Sequence, residues 1–128
     1  MSKAVLDASV LLAFLNDEPG ASAAAQALEG EPVMSAVNVS EVASKLVDAG
    51  IDAGDVREML EGLQIEVVAF DEEAAYEAGA LRSATRKAGL SLGDRACVSL
   101  GLRLGVPVLT ADRGWRNLPL PVEVVLLR

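Results

Sequence analysis

Short apolar runs alternate along the chain with longer stretches in which apolar residues recur at helical spacing. Ala4-Val5-Leu6 enters Asp7, and Val10, Leu11, Leu12, Phe14 and Leu15 follow on a helical period, so the start reads strand, turn, helix. Asp17-Glu18-Pro19-Gly20 breaks that helix, and the alanine-rich stretch from Ala21 to Leu28 predicts a second. Pro32-Val33-Met34 predicts a short buried strand. From Asn38, the apolar positions Val39, Val42, Ala43, Leu46 and Val47 mark one helical face, which Gly50 terminates. Asp52 to Leu63 predicts a further helix, and Ile65 to Phe70 a valine-containing strand. A long helix is expected from Asp71 to Lys87, stopping at Gly89, and another from Ser91 to Leu104, stopping at Gly105. Val106 to Leu109 and Val122 to Leu127 complete the set as strands.

Strands that alternate with helices specify a parallel sheet covered on both faces. Right-handed crossovers then reduce the topology to an α/β fold, a Rossmann-like three-layer α/β/α sandwich with a central, mainly parallel sheet. At 128 residues the chain makes one domain, residues 1–128. Ligands of such sheets collect outside the carboxyl ends of the strands, near a topological switch point, so the residues directly after strands come first.

Composition narrows the chemistry. Hydrophobic residues at 52 % and charged residues at 23 % match a folded globule, and aromatics at 3 % leave the core to Val, Leu, Ile and Ala. The sequence has no histidine, which removes His-based triads, imidazole zinc sites and histidine acid–base ribonuclease chemistry. The single cysteine, Cys97, excludes an intrachain disulfide, and its place on an apolar face with Leu100 and Leu104 assigns it to the core. A formal net charge of −8 excludes a broad cationic surface for duplex binding. No apolar run reaches the ~18 residues of a membrane span. Asp7, Asp17 and Glu18 interrupt what would otherwise imitate a leader, so a cytoplasmic location is expected.

Four acids lie where helices or turns begin. Asp7 and Asp112 follow strand runs, and each has a local role open to it, Asp7 as a helix cap and Asp112 as a turn residue before Arg113-Gly114. Glu41 closes Asn38-Val39-Ser40-Glu41 and Asp94 closes Ser91-Leu92-Gly93-Asp94, both with capping-box spacing. Glu41 is also one turn from Lys45, within reach of an ion pair. Taken together, the four carboxylates are expected at the carboxyl edge of the sheet, in one pocket. Their charges would repel there, and a hard cation such as Mg²⁺ or Mn²⁺ relieves that repulsion through oxygen ligands.

The motifs Val5-Leu6-Asp7-Ala8-Ser9, Asn38-x-x-Glu41, Ser91-Leu92-Gly93-Asp94 and Leu109-Thr110-Ala111-Asp112 span nearly the whole chain. In order and spacing this set resembles the PIN-domain ribonucleases, and the short length is similar to that of the VapC-type toxins of VapBC toxin–antitoxin systems. The resemblance implies a single PIN domain in which Asp7, Glu41, Asp94 and Asp112 are the catalytic, metal-binding acids. Ser9, Asn38 and Thr110 take the places of supporting polar groups. The implied activity is a Mg²⁺- or Mn²⁺-dependent endoribonuclease that hydrolyses RNA phosphodiester bonds with a metal-activated water, leaving 5′-phosphate and 3′-hydroxyl ends. The resemblance also implies a cognate VapB-like antitoxin landing on apolar side chains of the first helices, a homodimer, and no membrane association. Arg95, directly after Asp94, departs from the family's usual small uncharged residue.

An acidic chain that holds RNA needs local bases to meet the phosphates, and Arg82, Arg86, Lys87, Arg95, Arg113 and Arg116 are the candidates. Arg82, Arg86 and Lys87 sit where they complement a helix dipole. Trp115 is expected to pack over the end of the sheet. Two other readings are open. One is a catalytically degenerate PIN-fold protein-interaction module whose acids only cap helices. The other is a phosphate-transfer receiver domain, which the missing acid beside Asp7 and the missing lysine after Thr110-Ala111-Asp112 disfavour.

Overall fold

Period-two alternation in the strands sorts their side chains onto two apolar faces. The computed structural model describes residues 2–128. It contains strands β1 (Lys3–Leu6), β2 (Glu31–Ser35), β3 (Glu66–Val68), β4 (Val108–Thr110) and β5 (Val124–Leu126). Leu6 and Met34 face an apolar layer that includes Val10, Leu11, Val42 and Val56. Val5, Val33 and Val108 face the other way, onto Cys97, Val98, Leu100 and Trp115. The central strands are therefore covered on both sides, which is why β1 reads as an unbroken apolar run. Cys97 and Trp115 are core residues, as expected.

The layers come from helices α1 (Ala8–Leu15), α2 (Ala21–Glu29), α3 (Ala36–Asp48), α4 (Ala53–Gly62), α5 (Glu72–Ala80), α6 (Arg82–Thr85) and α7 (Leu92–Leu104). Every strand pair is parallel, in the order β3-β2-β1-β4-β5. The chain builds outward from β1 through β2 to β3, then returns to lay β4 and β5 on the opposite side of β1. That reversal places a switch point where β1 and β4 end side by side. Among the described residues no helix is long and apolar enough to cross a membrane.

Two elements differ from the sequence expectation. β2 continues to Ser35, whose Oγ accepts the Val37 N–H at 3.2 Å, so α3 starts at Ala36 and Asn38 lies inside it. The expected capping box from Asn38 to Glu41 is consequently absent. The expected helix from Asp71 to Lys87 is divided between α5 and α6. At the break the Leu81 N–H bonds the Ala78 carbonyl three residues back, and the Thr85 hydroxyl donates to the Leu81 carbonyl at 2.8 Å. Such back-bonding by a threonine competes with regular helix. Finally, the turn expected after Asp112 is a 3₁₀ turn over Arg113–Trp115.

The approach of α7 to the sheet depends on a residue without a side chain. A Cβ on Gly101 would stand 2.5 Å from Val108 Cγ2 and 3.3 Å from the Val106 carbonyl oxygen. Gly101→Val is expected to lower the free energy of unfolding by about 2 kcal/mol through overpacking, measured by urea denaturation followed by far-UV circular dichroism.

Candidate active site

Asp7 occupies the cap position of α1, yet its side chain makes no capping hydrogen bond. Parallel pairing of Leu6 with Leu109, continued by the Asp7 N–H on the Leu109 carbonyl at 2.9 Å, sets Asp7 beside Thr110. Its Oδ2 accepts the Ser9 hydroxyl at 2.6 Å and the Thr110 hydroxyl at 3.0 Å. The hydroxyl oxygens accept in their turn, Ser9 Oγ from the Ala111 N–H at 2.9 Å and Thr110 Oγ1 from the Asp112 N–H at 3.0 Å. A hydroxyl has one proton to give, and both are directed at Asp7. The 3.3 Å approach of Ser9 to Thr110 is then a contact and not a hydrogen bond. Asp7 is only 6 % exposed. Burial raises its carboxyl above the ordinary value, the two hydroxyls pull it back, and the charge of Asp94 raises it further.

Glu41 stands one turn along α3 from Asn38. Its Oε1 accepts from Asn38 Nδ2 at 2.8 Å, and the same amide donates to the Gly93 carbonyl of α7 at 3.0 Å. Both neighbours are acceptors, which fixes the amide group toward them. Asn38 is fully buried, and its Oδ1 has no partner among the described residues. The expected ion pair with Lys45 gives way to this arrangement; exposed Lys45 acts on Glu41 only as a more distant favourable charge. Burial raises the Glu41 carboxyl, the Asn38 bond lowers it, and the charges of Asp7 and Asp94 raise it again. Gly93 lies directly against this carboxylate, and a Cβ there would overlap it.

Asp94 completes the expected capping box: its Oδ2 accepts the Ser91 N–H at 2.9 Å, and its own N–H donates to Ser91 Oγ at 3.1 Å. Asp112 is exposed and caps the 3₁₀ turn, its Oδ1 accepting the Gly114 N–H at 2.8 Å. The fold thus brings Asp7, Glu41 and Asp94 into mutual electrostatic range and links Asp112 to Asp7 through Thr110. Burial, joined by the charges of Asp7, Asp94 and Glu41, pushes the Cys97 thiol well up, which makes it an inert core group.

Among the described residues no three acidic side chains are arranged to hold a metal ion as they stand. Asp94 and Asp112 are each oriented by an amide of their own turn. Glu41, Asp94 and Asp112 each commit one oxygen to a nearby donor and keep the other without a partner among the described residues. Hard anionic oxygens crowded at one sheet edge, with no imidazole and only an inert thiol, fit a hard divalent cation.

The bases are placed unequally. Arg95 is half-buried: Nη1 donates to the Ala78 carbonyl at 3.1 Å and Nε is buried without a partner among the described residues, so it ties α7 to α5 and part of its guanidinium is withdrawn from the expected RNA contact. Arg113 and Arg116 are exposed beside Asp112, with Arg113 Nε donating to the Arg128 carbonyl at 3.3 Å. A cleft of about 330 Å³ lined by Ser9, Leu12, Glu18 and Lys45 lies between α1 and α3, and of the site residues only Ser9 reaches it. A larger, apolar cavity of about 690 Å³, lined by Leu11, Val39, Val56, Leu60 and Ile65, holds none of the four. Sequence reasoning missed Gly93, whose one local signal is a glycine in the first turn of a helix, where most residues serve better.

A model of the PIN-domain family matches residues 4–120. No curated protein matches the chain in sequence. Solved structures share the fold over almost the full length. DNA-bound VapBC from Salmonella typhimurium superposes with a TM-score of 0.74 at 17 % identity, covering 100 % of both chains. A toxin–antitoxin complex from Klebsiella pneumoniae gives 0.73 at 18 %, covering 98 % of both. FitAcB from Neisseria gonorrhoeae gives 0.67 at 22 %, covering 96 % of both. With the all-parallel sheet, the acids at its switch point and the family match over residues 4–120, the chain belongs to the PIN-domain family.

Proposed function

We propose that this PIN domain is a metal-dependent endoribonuclease, the VapC-type toxin of a type II toxin–antitoxin pair. The observation that supports this most is the buried Asp7 carboxylate at the β1–β4 switch point, raised by its burial and the charge of Asp94 and, with Asp94, raising Glu41 in turn. Acids that only capped helices, as in a degenerate interaction module, would give Asp7 a capping bond, which it lacks. Asp7, Glu41, Asp94 and Asp112 are the residues that would hold Mg²⁺ or Mn²⁺. Such a cation supplies positive charge for a phosphodiester's non-bridging oxygen and makes water easier to deprotonate.

The chain's own groups do the rest. Ser9 and Thr110 orient the Asp7 carboxylate through its Oδ2, and Asn38 orients Glu41. Exposed Arg113 and Arg116 offer the phosphate contacts that an acidic chain otherwise lacks. An antitoxin segment has an apolar place to dock in the cavity between α3, α4 and β3, with Leu11 the contribution of α1. Leu11 connects that cavity to the first helices, where the landing surface is expected. The near full-length likeness to VapBC structures supports the same pairing.

The decisive experiment is incubation of the purified protein with total RNA in Mg²⁺, in Mn²⁺ or in chelator, followed by end-group analysis. Metal-dependent products with 5′-phosphate ends are expected, and cleavage that persists in chelator would defeat the reading. Asp7→Asn is expected to abolish this cleavage while remaining folded. Its stability has a defined pH dependence. Burial raises the Asp7 carboxyl above 3.8, so its contribution favours folding below the ordinary value and is lost as pH rises through the raised one. In chelator at pH 7, Asp7→Asn should therefore unfold at no lower urea concentration than the parent, and any advantage should shrink as pH falls through the raised value and be gone below 3.8. Arg113→Ala with Arg116→Ala should weaken RNA binding at low salt and flatten its dependence on log salt, read by fluorescence anisotropy. The slope should fall by about 0.7 for each phosphate that is no longer neutralised.

A further inference from the structure

We propose that Gly93 is a positioning residue for the metal site: its bare backbone makes room for the Glu41 carboxylate, and its carbonyl anchors the amide that holds that carboxylate. The inference rests on the metal-dependent reading above. Gly93 is buried in the first turn of α7, while Glu41 and Asn38 stand in the first half of α3. One Asn38 amide nitrogen bridges the two helices, at 2.8 Å to Glu41 Oε1 and 3.0 Å to the Gly93 carbonyl. A Cβ on Gly93 would overlap Glu41 Oε1 and would also meet its Cδ and Oε2. The obstruction falls on the functional end of the side chain.

Helix formation gives no reason for glycine here, since alanine is the better helix former. The capping box likewise uses only Ser91 and Asp94. What requires glycine is the occupant of the space, a carboxylate that must lie flat against the backbone of α7. With alanine at 93, Glu41 would keep its charge and lose its place, and the Asn38 amide would lose one of its two acceptors.

The test is calorimetric titration of Mn²⁺ into metal-free protein, with thermal unfolding in chelator as a second readout. The variants are Gly93→Ala, Glu41→Ala and the two combined. Gly93→Ala is expected to bind Mn²⁺ about tenfold more weakly, the scale seen when a group that orients a metal ligand is disturbed. In the Glu41→Ala background the same change is expected to cost no further affinity, because the residue it acts through is gone. Parent-like Mn²⁺ binding by Gly93→Ala, or a full further loss in the double variant, overturns the proposal and leaves the nuclease reading intact. A parent protein that binds no Mn²⁺ overturns both. Should Gly93→Ala fail to fold, recovery of folding in the double variant supports the contact, and failure in both backgrounds overturns it.

Discussion

A single carboxylate, that of Asp7, is held almost out of water at the point where two parallel strands end together. Removing it from solvent is costly, and the two hydroxyls on its Oδ2 offset that cost only because each is itself aimed by a backbone N–H beyond β4. Ser9 comes from α1 and Thr110 from β4, so the network closes only when β1 and β4 are in register. The order β3-β2-β1-β4-β5 is what brings those two strands side by side. Topology, turn and acid are thus mutually dependent, and a shift in any of them would strand a buried charge.

Two of the other acids already serve the fold. Asp94 stabilises the start of α7, and Asp112 fixes the 3₁₀ turn after β4. A carboxylate has two oxygens, so one can satisfy the backbone while the other remains for a ligand. Burial first, and the like charges beside them second, make Asp7 and Glu41 harder to ionise than ordinary carboxyls. Local stability and the gathering of like charge therefore pull against each other. The hydrogen bonds of Asp94 and Asp112 show the local side holding those two carboxylates to their own turns.

The layered α/β architecture was legible in the sequence because burial on both faces of the sheet turns strands into short apolar runs between amphipathic helices. The order of the strands was not, since pairing is decided by contacts far apart along the chain. Asp94 was readable as a cap from its four-residue motif alone. Asp7 was not, because the Thr110 hydroxyl that binds it lies on a distant strand. Ser35 and Asn38 are both good caps, and the strand's extension to Ser35 gave the earlier one the role. Arg95 looked like a base beside the acids, but a carbonyl near the end of α5 claimed it. Gly93 acquires meaning only once Glu41 lies on it, and nothing nearby in the chain reveals that contact.

The two boundary strands of the sheet, β3 and β5, are each three residues long. Glu66 on the first and Glu123 beside the second add negative charge at those margins. A chain with more than half its residues hydrophobic, and a sheet whose rim backbone is partly unpaired, runs the risk of recruiting neighbours into intermolecular ladders and fibrils. Short rims with acidic neighbours shorten the template for such recruitment and set charge against the exposed Val67 and Val125 on the same two strands.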